Sequence, residues 1–196
     1  MKAVLTVGST EFSPLVHALL SPDCLRLLHT LDVTSLLAQV GNSDLPAGFT
    51  INKETRRALD VDGATLHVTV VDFTDDIEQH IAQAQLVISH AGAGSILSAI
   101  RPSSFSNSED DVGTCTQKVL VIVPNSSLMD SHQSDLADEF ERHKWAIVVR
   151  DPLDLGMALK QFAEKQTAVS QEQVSRIPPF DGSKINRILD DTLNLS

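Results

Sequence analysis

The residues that could do chemistry gather around one glycine-rich stretch, His90–Ser95 ("HAGAGS"). An apolar run, Leu86–Ser89, precedes it, and an apolar run with helical spacing follows it. The first turn of a helix offers unpaired N–H groups and a partial positive charge, and both suit a phosphate. Gly92 and Gly94 carry no Cβ, so a diphosphate could approach the backbone, and Ser95 could add a hydroxyl donor. The stretch predicts a diphosphate site; the alternative is a tight strand–helix turn that holds no ligand.

A second candidate loop, Pro124–Gln133 ("PNSSLMDSHQ"), follows the continuous apolar run Val119–Val123. Ligands of open α/β sheets bind at the carboxyl ends of the strands, so this loop can face the first one. The polar side chains of Asp130, His132 and Gln133 could then bind the hydroxyls of a sugar. The alternative is local, because D-x-x-Q is also a capping box with Asp130 as N-cap and Gln133 at N3.

Other catalytic and binding motifs fail on spacing. A dinucleotide fingerprint would need glycine at position 97, where the chain has Leu97. A nucleophile elbow fails because Ser95 directly follows Gly94, so a free-standing hydrolase built on Ser95 and the preceding histidine is the least favoured activity. The pair Asp60 and Asp62 stands before a glycine and indicates a turn rather than a metal site. The histidines and cysteines show no ligand spacing, so we expect no metal and no cofactor.

Short β-branched runs alternate with helical patterns along the chain. This alternation predicts an α/β fold, a Rossmann-like parallel sheet with right-handed crossovers and helices on both faces. The helix expected near residue 75 should open with a D-x-x-E capping box at Asp75 and Glu78. The predicted strands are Lys2–Val7, Thr34–Val40, Leu66–Val71, Leu86–Ser89, Val119–Val123 and Trp145–Val149, and the predicted helices are Phe12–Leu20, Asp75–Ala84, Gly94–Ile100, Asp130–His143 and Pro152–Glu164.

Two segments depart from the alternation and set the domain boundaries. Residues 1–169 form the predicted α/β domain. Within it Arg101–Lys118 is a polar, acidic stretch much longer than the usual connection, and we interpret it as a mobile surface insertion. Residues 170–196 form a tail with an apolar stripe at helical spacing. That stripe either packs on its own domain or docks on a partner, and it comprises Ile185, Ile188, Leu189 and Leu193.

Composition excludes several classes of protein. The chain has 196 residues, 42% of them hydrophobic, which is typical of a globular domain with a real core. Its net charge of −11 argues against a nucleic-acid partner and against direct docking on anionic lipid. It has no apolar run of transmembrane length and no signal-peptide pattern at its start, so we expect a cytoplasmic protein without direct membrane insertion.

Three motifs in order, "VLTVGSTEF", "VISHAGAGSIL" and "SLMDSHQSDLADEF", closely resemble the Alg13 family. Members of that family are the catalytic subunits of the UDP-N-acetylglucosamine transferase of N-glycan assembly. The similarity spans nearly the whole chain apart from the Arg101–Lys118 insertion. The family in turn resembles the C-terminal, donor-binding half of GT-B glycosyltransferases such as the bacterial enzyme MurG, so the resemblance implies that fold here.

The resemblance implies UDP-N-acetylglucosamine as the donor substrate. The Gly92–Ser95 turn would then hold the diphosphate, and Gln133 would contact the sugar hydroxyls. The remaining positions that match the family's donor and acceptor sites are Gly8, Ser9 and Thr10 facing the acceptor, Phe73 at the uracil, Ala93 within the phosphate turn, and Asp130 with His132 in the D-x-H-Q motif.

Two residues carry the remaining expectations for this site. Many relatives have an acidic residue at the position of Ser98, where it grips the ribose hydroxyls, and a serine makes only a shorter, neutral hydrogen bond. Inverting transfer needs a group that accepts the proton of the acceptor hydroxyl, and His90 is the best candidate in this chain. His90 could instead brace the turn.

The resemblance also implies an Alg14-like subunit that supplies a membrane anchor and the acceptor domain. The acceptor would be N-acetylglucosaminyl-diphosphodolichol at the cytosolic face of the endoplasmic reticulum, and no bound metal would be required. The C-terminal stripe is then best interpreted as a docking surface for that subunit. The alternative function is a non-catalytic nucleotide-sugar-binding protein on the same fold.

Overall fold

The computed structural model describes residues 1–51, 57–61, 63–100, 118–125 and 132–168. They form one seven-stranded sheet in the order β3-β4-β2-β1-β5-β6-β7, with helices on both faces, which confirms the Rossmann-like α/β prediction. The strands are β1 (Lys2–Thr6), β2 (Ser35–Gln39), β3 (Arg57–Val61), β4 (Ala64–Val71), β5 (Leu86–His90), β6 (Val119–Val123) and β7 (Ile147–Val148). The helices are α1 (Ser13–Leu19), α2 (Pro22–Thr30), α3 (Ile77–Gln83), α4 (Ala93–Ile100), α5 (His132–Arg142) and α6 (Leu155–Ala168), the last preceded by a 3₁₀ turn (Pro152–Asp154).

One edge of the sheet differs from the prediction. Strand β3 pairs antiparallel with β4, whereas the other described strand pairs are parallel. The connection is a tight hairpin in which Gly63 has φ +85° and its N–H donates to Asp60 Oδ1 at 2.9 Å. The Asp60 carboxylate therefore stabilises a turn, as its position before a glycine indicated. Sequence reasoning recognised this turn but not the strand that enters it.

Helix α2 was also missed, although the sequence contains its start signal. Pro22 stands at the first helical position, and the Ser21 side chain accepts a hydrogen bond from the Cys24 N–H at 3.3 Å. This arrangement is a serine N-cap followed by proline.

The predicted capping box at Asp75 and Glu78 is wrong. Helix α3 begins at Ile77, and its N-cap Asp76 makes no side-chain capping hydrogen bond. A polar turn takes up the preceding residues, because the Asp76 N–H donates to Thr74 Oγ1 at 3.4 Å. Glu78 is therefore available for another contact.

Two apolar layers sandwich the sheet. Alternate residues of β1 point to opposite faces, so Leu5 packs in the layer under α1, α2 and α6, and Val4 packs in the layer under α3, α4 and α5. Strands β5 and β6 are buried along their whole length, as expected for central parallel strands that are covered on both faces.

Two predicted segments lie largely outside the described residues, namely 101–117 of the insertion and 170–196 of the tail. Lys118, assigned to the insertion, is half-buried, and its Nζ donates to Ile81 O at the end of α3 at 2.9 Å. Burial lowers the pKa of this lysine. Lys118 thus packs against the α/β domain. In the part of the chain that the structure describes, no helix combines the length and the apolar character that a membrane crossing requires.

The turn after β2 has no room for a side chain at Gly41. Gly41 has φ +54°, and a Cβ there would lie 2.3 Å from Thr10 O and 2.9 Å from Gly8 O. Gly63 has φ +85° but has no atom within 4 Å of such a Cβ. We expect Gly41→Ala to lower the free energy of unfolding by about 2–5 kcal/mol, from backbone strain plus overpacking. Gly63→Ala should lower the free energy of unfolding by about 1–2 kcal/mol, from backbone strain alone. Urea denaturation of both variants checks this, and equal costs would contradict the close approach.

Candidate functional site

The candidate site lies where the strand order reverses. From β1 the chain builds β2 and β4 on one side and then returns to place β5 against the other side of β1. Crossovers that leave in opposite directions open a crevice at the carboxyl ends of these two strands. The turn after β1 contains Gly8, and the turn after β5 contains Gly92. Two stretches far apart in the sequence thus meet at one crevice.

Hydrogen bonds with the side chains of neighbouring residues fix the first of these turns, Gly8–Thr10. Gly8 has φ +63°, and its N–H donates to Thr6 Oγ1 at 3.2 Å. The same hydroxyl donates to Gln39 Oε1 at 2.6 Å, and both of these side chains are buried. Thr10 Oγ1 donates to Val7 O at 2.7 Å. The turn therefore has a fixed shape without any ligand, and Ser9 stands exposed at its tip.

The second turn, at Gly92, opens helix α4. The first backbone hydrogen bond of the helix runs from the Ile96 N–H to Gly92 O at 3.1 Å. The N–H groups of Ala93, Gly94 and Ser95 precede that bond, and no acceptor for them is found in the described ranges. A Cβ added to Gly94 would have no atom within 4 Å. This turn can bind an anion with backbone donors alone.

His90 fills the space between the two turns. Its Nδ1 lies 3.3 Å from Thr6 O, and because a carbonyl only accepts, Nδ1 carries the proton and Nε2 keeps a lone pair. A Cβ on Gly92 would lie 2.3 Å from Nε2, and a Cβ on Gly8 would lie 3.0 Å from Cε1. The side chain is only 6% exposed, and burial lowers its pKa, so the ring is neutral at neutral pH.

These contacts reassign one glycine. Gly92 was interpreted as a position where a diphosphate could approach the backbone, but the histidine ring already lies against it. The open space is at Gly94 instead. A neutral imidazole with a free Nε2 lone pair is the form that a general base requires, and the same packing braces the two turns.

Gln133 is oriented by a residue that sequence reasoning missed. Its Oε1 accepts a hydrogen bond from the Asn125 N–H at 3.0 Å. This bond fixes the orientation of the amide and leaves its two N–H groups as donors, for which the described residues supply no acceptor. Asn125 is 2% exposed, and its Nδ2 donates to Glu11 O at 3.0 Å, which ties the end of β6 to the loop after β1. The capping-box interpretation did not predict this partner. A polar residue two positions after a buried strand was the available signal.

The structure describes only some of the other predicted site residues. Phe73 follows β4 at the same edge of the sheet, and its side chain is 52% exposed. His132 is the first residue of α5. Asp130 and the four residues of the C-terminal stripe lie outside the described residues.

Ser98 has a neighbour that the sequence did not suggest. It lies one turn beyond Gly94 on α4, and its hydroxyl is 3.0 Å from Gly94 O. The same hydroxyl is 3.3 Å from Glu78 Oε1 on α3. No local pattern could have revealed this contact, because the two side chains are 20 residues apart and meet only through the packing of α3 on α4.

A separate cavity of about 560 Å³ lies away from these strand ends and contains none of the predicted site residues. It is formed by α1, α2, β3 and the loop after β2, and includes His17, Leu25, Pro46, Phe49 and Leu59. We assign it no ligand.

Comparison with known proteins identifies relatives of the whole domain. The model of the glycosyltransferase family 28 C-terminal domain matches residues 3–102. A "UDP-N-acetylglucosamine transferase subunit ALG13" from Cryptococcus neoformans is 33% identical over 162 residues, which cover 74% of this chain and 75% of that protein. The protein of the same name from Yarrowia lipolytica is 28% identical over 97% of this chain and 83% of its own length. The mouse ALG13 subunit is 33% identical over 72% of this chain, which is 10% of that longer protein.

Solved structures agree on the fold. An NMR structure of ALG13 matches with a TM-score of 0.59 at 22% identity, covering 98% of this chain and 96% of that one. MurG from Acinetobacter baumannii matches with a TM-score of 0.53 at 16% identity, covering 99% of this chain but only 48% of MurG. The chain thus corresponds in fold to one half of a GT-B enzyme. Together with the relatives above, this places the chain in the ALG13 family of glycosyltransferase subunits, built on the family 28 C-terminal domain.

Proposed function

We propose that the chain is the donor-binding and catalytic subunit of a UDP-N-acetylglucosamine transferase that adds the second N-acetylglucosamine to N-acetylglucosaminyl-diphosphodolichol. One observation carries this proposal: in a member of the ALG13 family, the unpaired N–H groups at the start of α4 open onto the crevice that the Gly8–Thr10 turn also borders. A donor and an acceptor can meet there.

In this proposal the donor lies along the carboxyl edge of the sheet. The diphosphate binds the N–H groups of Ala93, Gly94 and Ser95, which need no lysine and therefore suit an acidic chain. The amide nitrogen of Gln133 donates to hydroxyls of the sugar, and Asp130 and His132 complete that side of the site. The exposed ring of Phe73 stacks on the uracil.

The proposed reaction is an inverting displacement. The acceptor hydroxyl approaches past the Gly8–Thr10 turn and attacks the anomeric carbon on the face opposite the diphosphate. The bond from that carbon to the diphosphate breaks, and UDP leaves with the electron pair. His90 Nε2 accepts the proton of the attacking hydroxyl. The reaction is proposed to need neither a cofactor nor a metal, so added EDTA should leave the rate unchanged.

A partner subunit is part of the proposal. Since the chain matches only 48% of MurG, it corresponds to one of the two halves that form a GT-B cleft. An Alg14-like subunit would supply the other half and recruit the chain to the cytosolic face of the endoplasmic reticulum membrane. The stripe at Ile185, Ile188, Leu189 and Leu193 is proposed to dock on that subunit.

The experiment is transfer of labelled N-acetylglucosamine to a short-chain dolichyl-diphosphate acceptor, with and without the co-expressed partner. We expect turnover only with both subunits, and binding of UDP-N-acetylglucosamine by the chain alone. Robust transfer by the chain alone would contradict partner dependence. Donor binding without transfer in either preparation would favour the non-catalytic alternative, and absence of donor binding would contradict the proposal as a whole.

Gly94→Ala tests the phosphate turn without disturbing the fold. A Cβ at position 94 meets no protein atom within 4 Å, and alanine favours a helix, so stability should be unchanged or slightly raised. Affinity for UDP should fall about tenfold or more, since a lost charge-assisted hydrogen bond costs about 1.5–3 kcal/mol. Gly156→Ala is the matched control, because its Cβ would lie 3.5 Å from Cys24 Sγ, at ordinary contact distance, on the other face of the sheet. Isothermal titration measures both variants; unchanged affinity in Gly94→Ala would remove the diphosphate from this turn.

The substitution His90→Asn distinguishes a role of His90 in proton transfer from a role in supporting the two turns. The asparagine amide nitrogen can replace Nδ1 as donor to Thr6 O, whereas the Nε2 lone pair is lost. We expect kcat to fall about 10²- to 10⁴-fold with little change in donor affinity. In the unsubstituted enzyme, kcat should fall at acid pH as His90 becomes protonated, and because burial lowers the His90 pKa, the midpoint of this fall should lie below the ordinary histidine value of 6.5. The fall should be absent in the variant. Unchanged kcat with weakened donor binding would assign His90 to bracing alone.

A further inference from the structure

A carboxylate stands one helical turn from the proposed phosphate turn. Glu78 is exposed on α3, and its Oε1 lies 3.3 Å from the Ser98 hydroxyl on α4. That hydroxyl has a single proton, which Glu78 Oε1 shares with Gly94 O at 3.0 Å. The carboxylate oxygens of Glu78 therefore keep lone pairs that can accept further hydrogen bonds.

Glu78 lies in the first turn of α3, where an acidic side chain is favourable, but that placement does not by itself require its contact with α4. No described lysine or arginine lies within salt-bridge distance of Glu78. It does not cap α3, whose N-cap Asp76 makes no side-chain capping bond. In a chain of net charge −11, another negative charge near a bound diphosphate is unfavourable by itself. A ligand that presents hydroxyl donors to this carboxylate would offset that cost.

The spacing along the site indicates which hydroxyls these are. Ser98 lies four residues beyond Gly94, a rise of about 6 Å along the helix. This is comparable to the reach from the first phosphate of a nucleotide to its ribose hydroxyls. The exposed ring of Phe73 is five residues before Glu78 and follows the end of β4. A bound nucleotide needs donors for its diphosphate, an acceptor for its ribose hydroxyls and an aromatic surface for its base, and this edge of the sheet offers all three.

We propose that Glu78 and Ser98 together form the ribose subsite, with the Glu78 carboxylate accepting hydrogen bonds from the 2′- and 3′-hydroxyls and Ser98 holding that carboxylate in place. The proposal rests on the proposed nucleotide-sugar function. A carboxylate can accept from both members of a vicinal diol, and such charge-assisted bonds are roughly twice as strong as neutral ones. The subsite would select ribonucleotides over 2′-deoxyribonucleotides.

The test compares binding of UDP and 2′-deoxy-UDP by isothermal titration. We expect the unsubstituted chain to bind UDP about tenfold or more tightly than the deoxy analogue, as for one lost charge-assisted bond. Glu78→Ala should lower affinity for UDP and bring the ratio close to one, and Glu78→Gln should lie between. Asp23→Asn, which removes one charge from exposed α2 on the other face, should leave the ratio unchanged. Glu78 is exposed, so its variants should melt like the unsubstituted protein.

A double variant tests the role of position rather than of charge alone. Glu78→Ala with Ser98→Glu moves the carboxylate from α3 to α4 at the same spot, and we expect the preference for UDP to return. If the unsubstituted chain prefers UDP and Glu78→Ala keeps that preference, the ribose subsite is overturned while the proposed function stands. If the unsubstituted chain binds neither nucleotide, the proposed function fails and the subsite fails with it.

Discussion

The packing of the His90 imidazole between Gly8 and Gly92 is the constraint on which the crevice depends. Strands β1 and β5 are hydrogen-bonded neighbours, so the turns that follow them start only about 4.8 Å apart. The ring fills that gap, and its Nδ1 is held by Thr6 O on the neighbouring strand. A Cβ on either glycine would meet the ring, so both glycines are required by the protein before any ligand is considered.

Around this contact, residues that follow β2 and β6 are hydrogen-bonded to the loop that follows β1. Thr6 and Gln39 join β1 to β2 through a buried hydrogen bond, and the Asn42 side chain donates to Ser9 O at 3.1 Å. From the other side, Asn125 donates to Glu11 O and fixes the Gln133 amide. The polar groups that face the crevice therefore stand on rigid supports, which reduces the ordering required when a ligand binds.

The electrostatics of the proposed site follow from the same architecture. Diphosphate binding is assigned to backbone N–H groups, so an acidic chain can hold an anion without a cationic side chain. Carboxylates can then be used where a ligand offers hydroxyl donors, as proposed for Glu78. Burial lowers the pKa of His90 and keeps its ring neutral, with a lone pair on Nε2. Together these features give one half of a GT-B cleft, matching 48% of MurG, and leave the acceptor side to a second subunit in our proposal.

The sequence by itself determined the fold class and the position of the glycine-rich turn that opens α4, because both follow from short-range patterns. Continuous apolar runs mark the buried strands β5 and β6, and the glycine stretch after β5 marks the start of α4. Only the tertiary structure decided which side chains share the crevice. His90 meets Gly8, and Glu78 meets Ser98, across 82 and 20 residues of chain (90 − 8 and 98 − 78). Local patterns gave a wrong prediction where a longer-range contact was present: Glu78 accepts a hydrogen bond from Ser98 and does not form the predicted capping box of α3. Such contacts depend on strand order and helix packing, which no local spacing records.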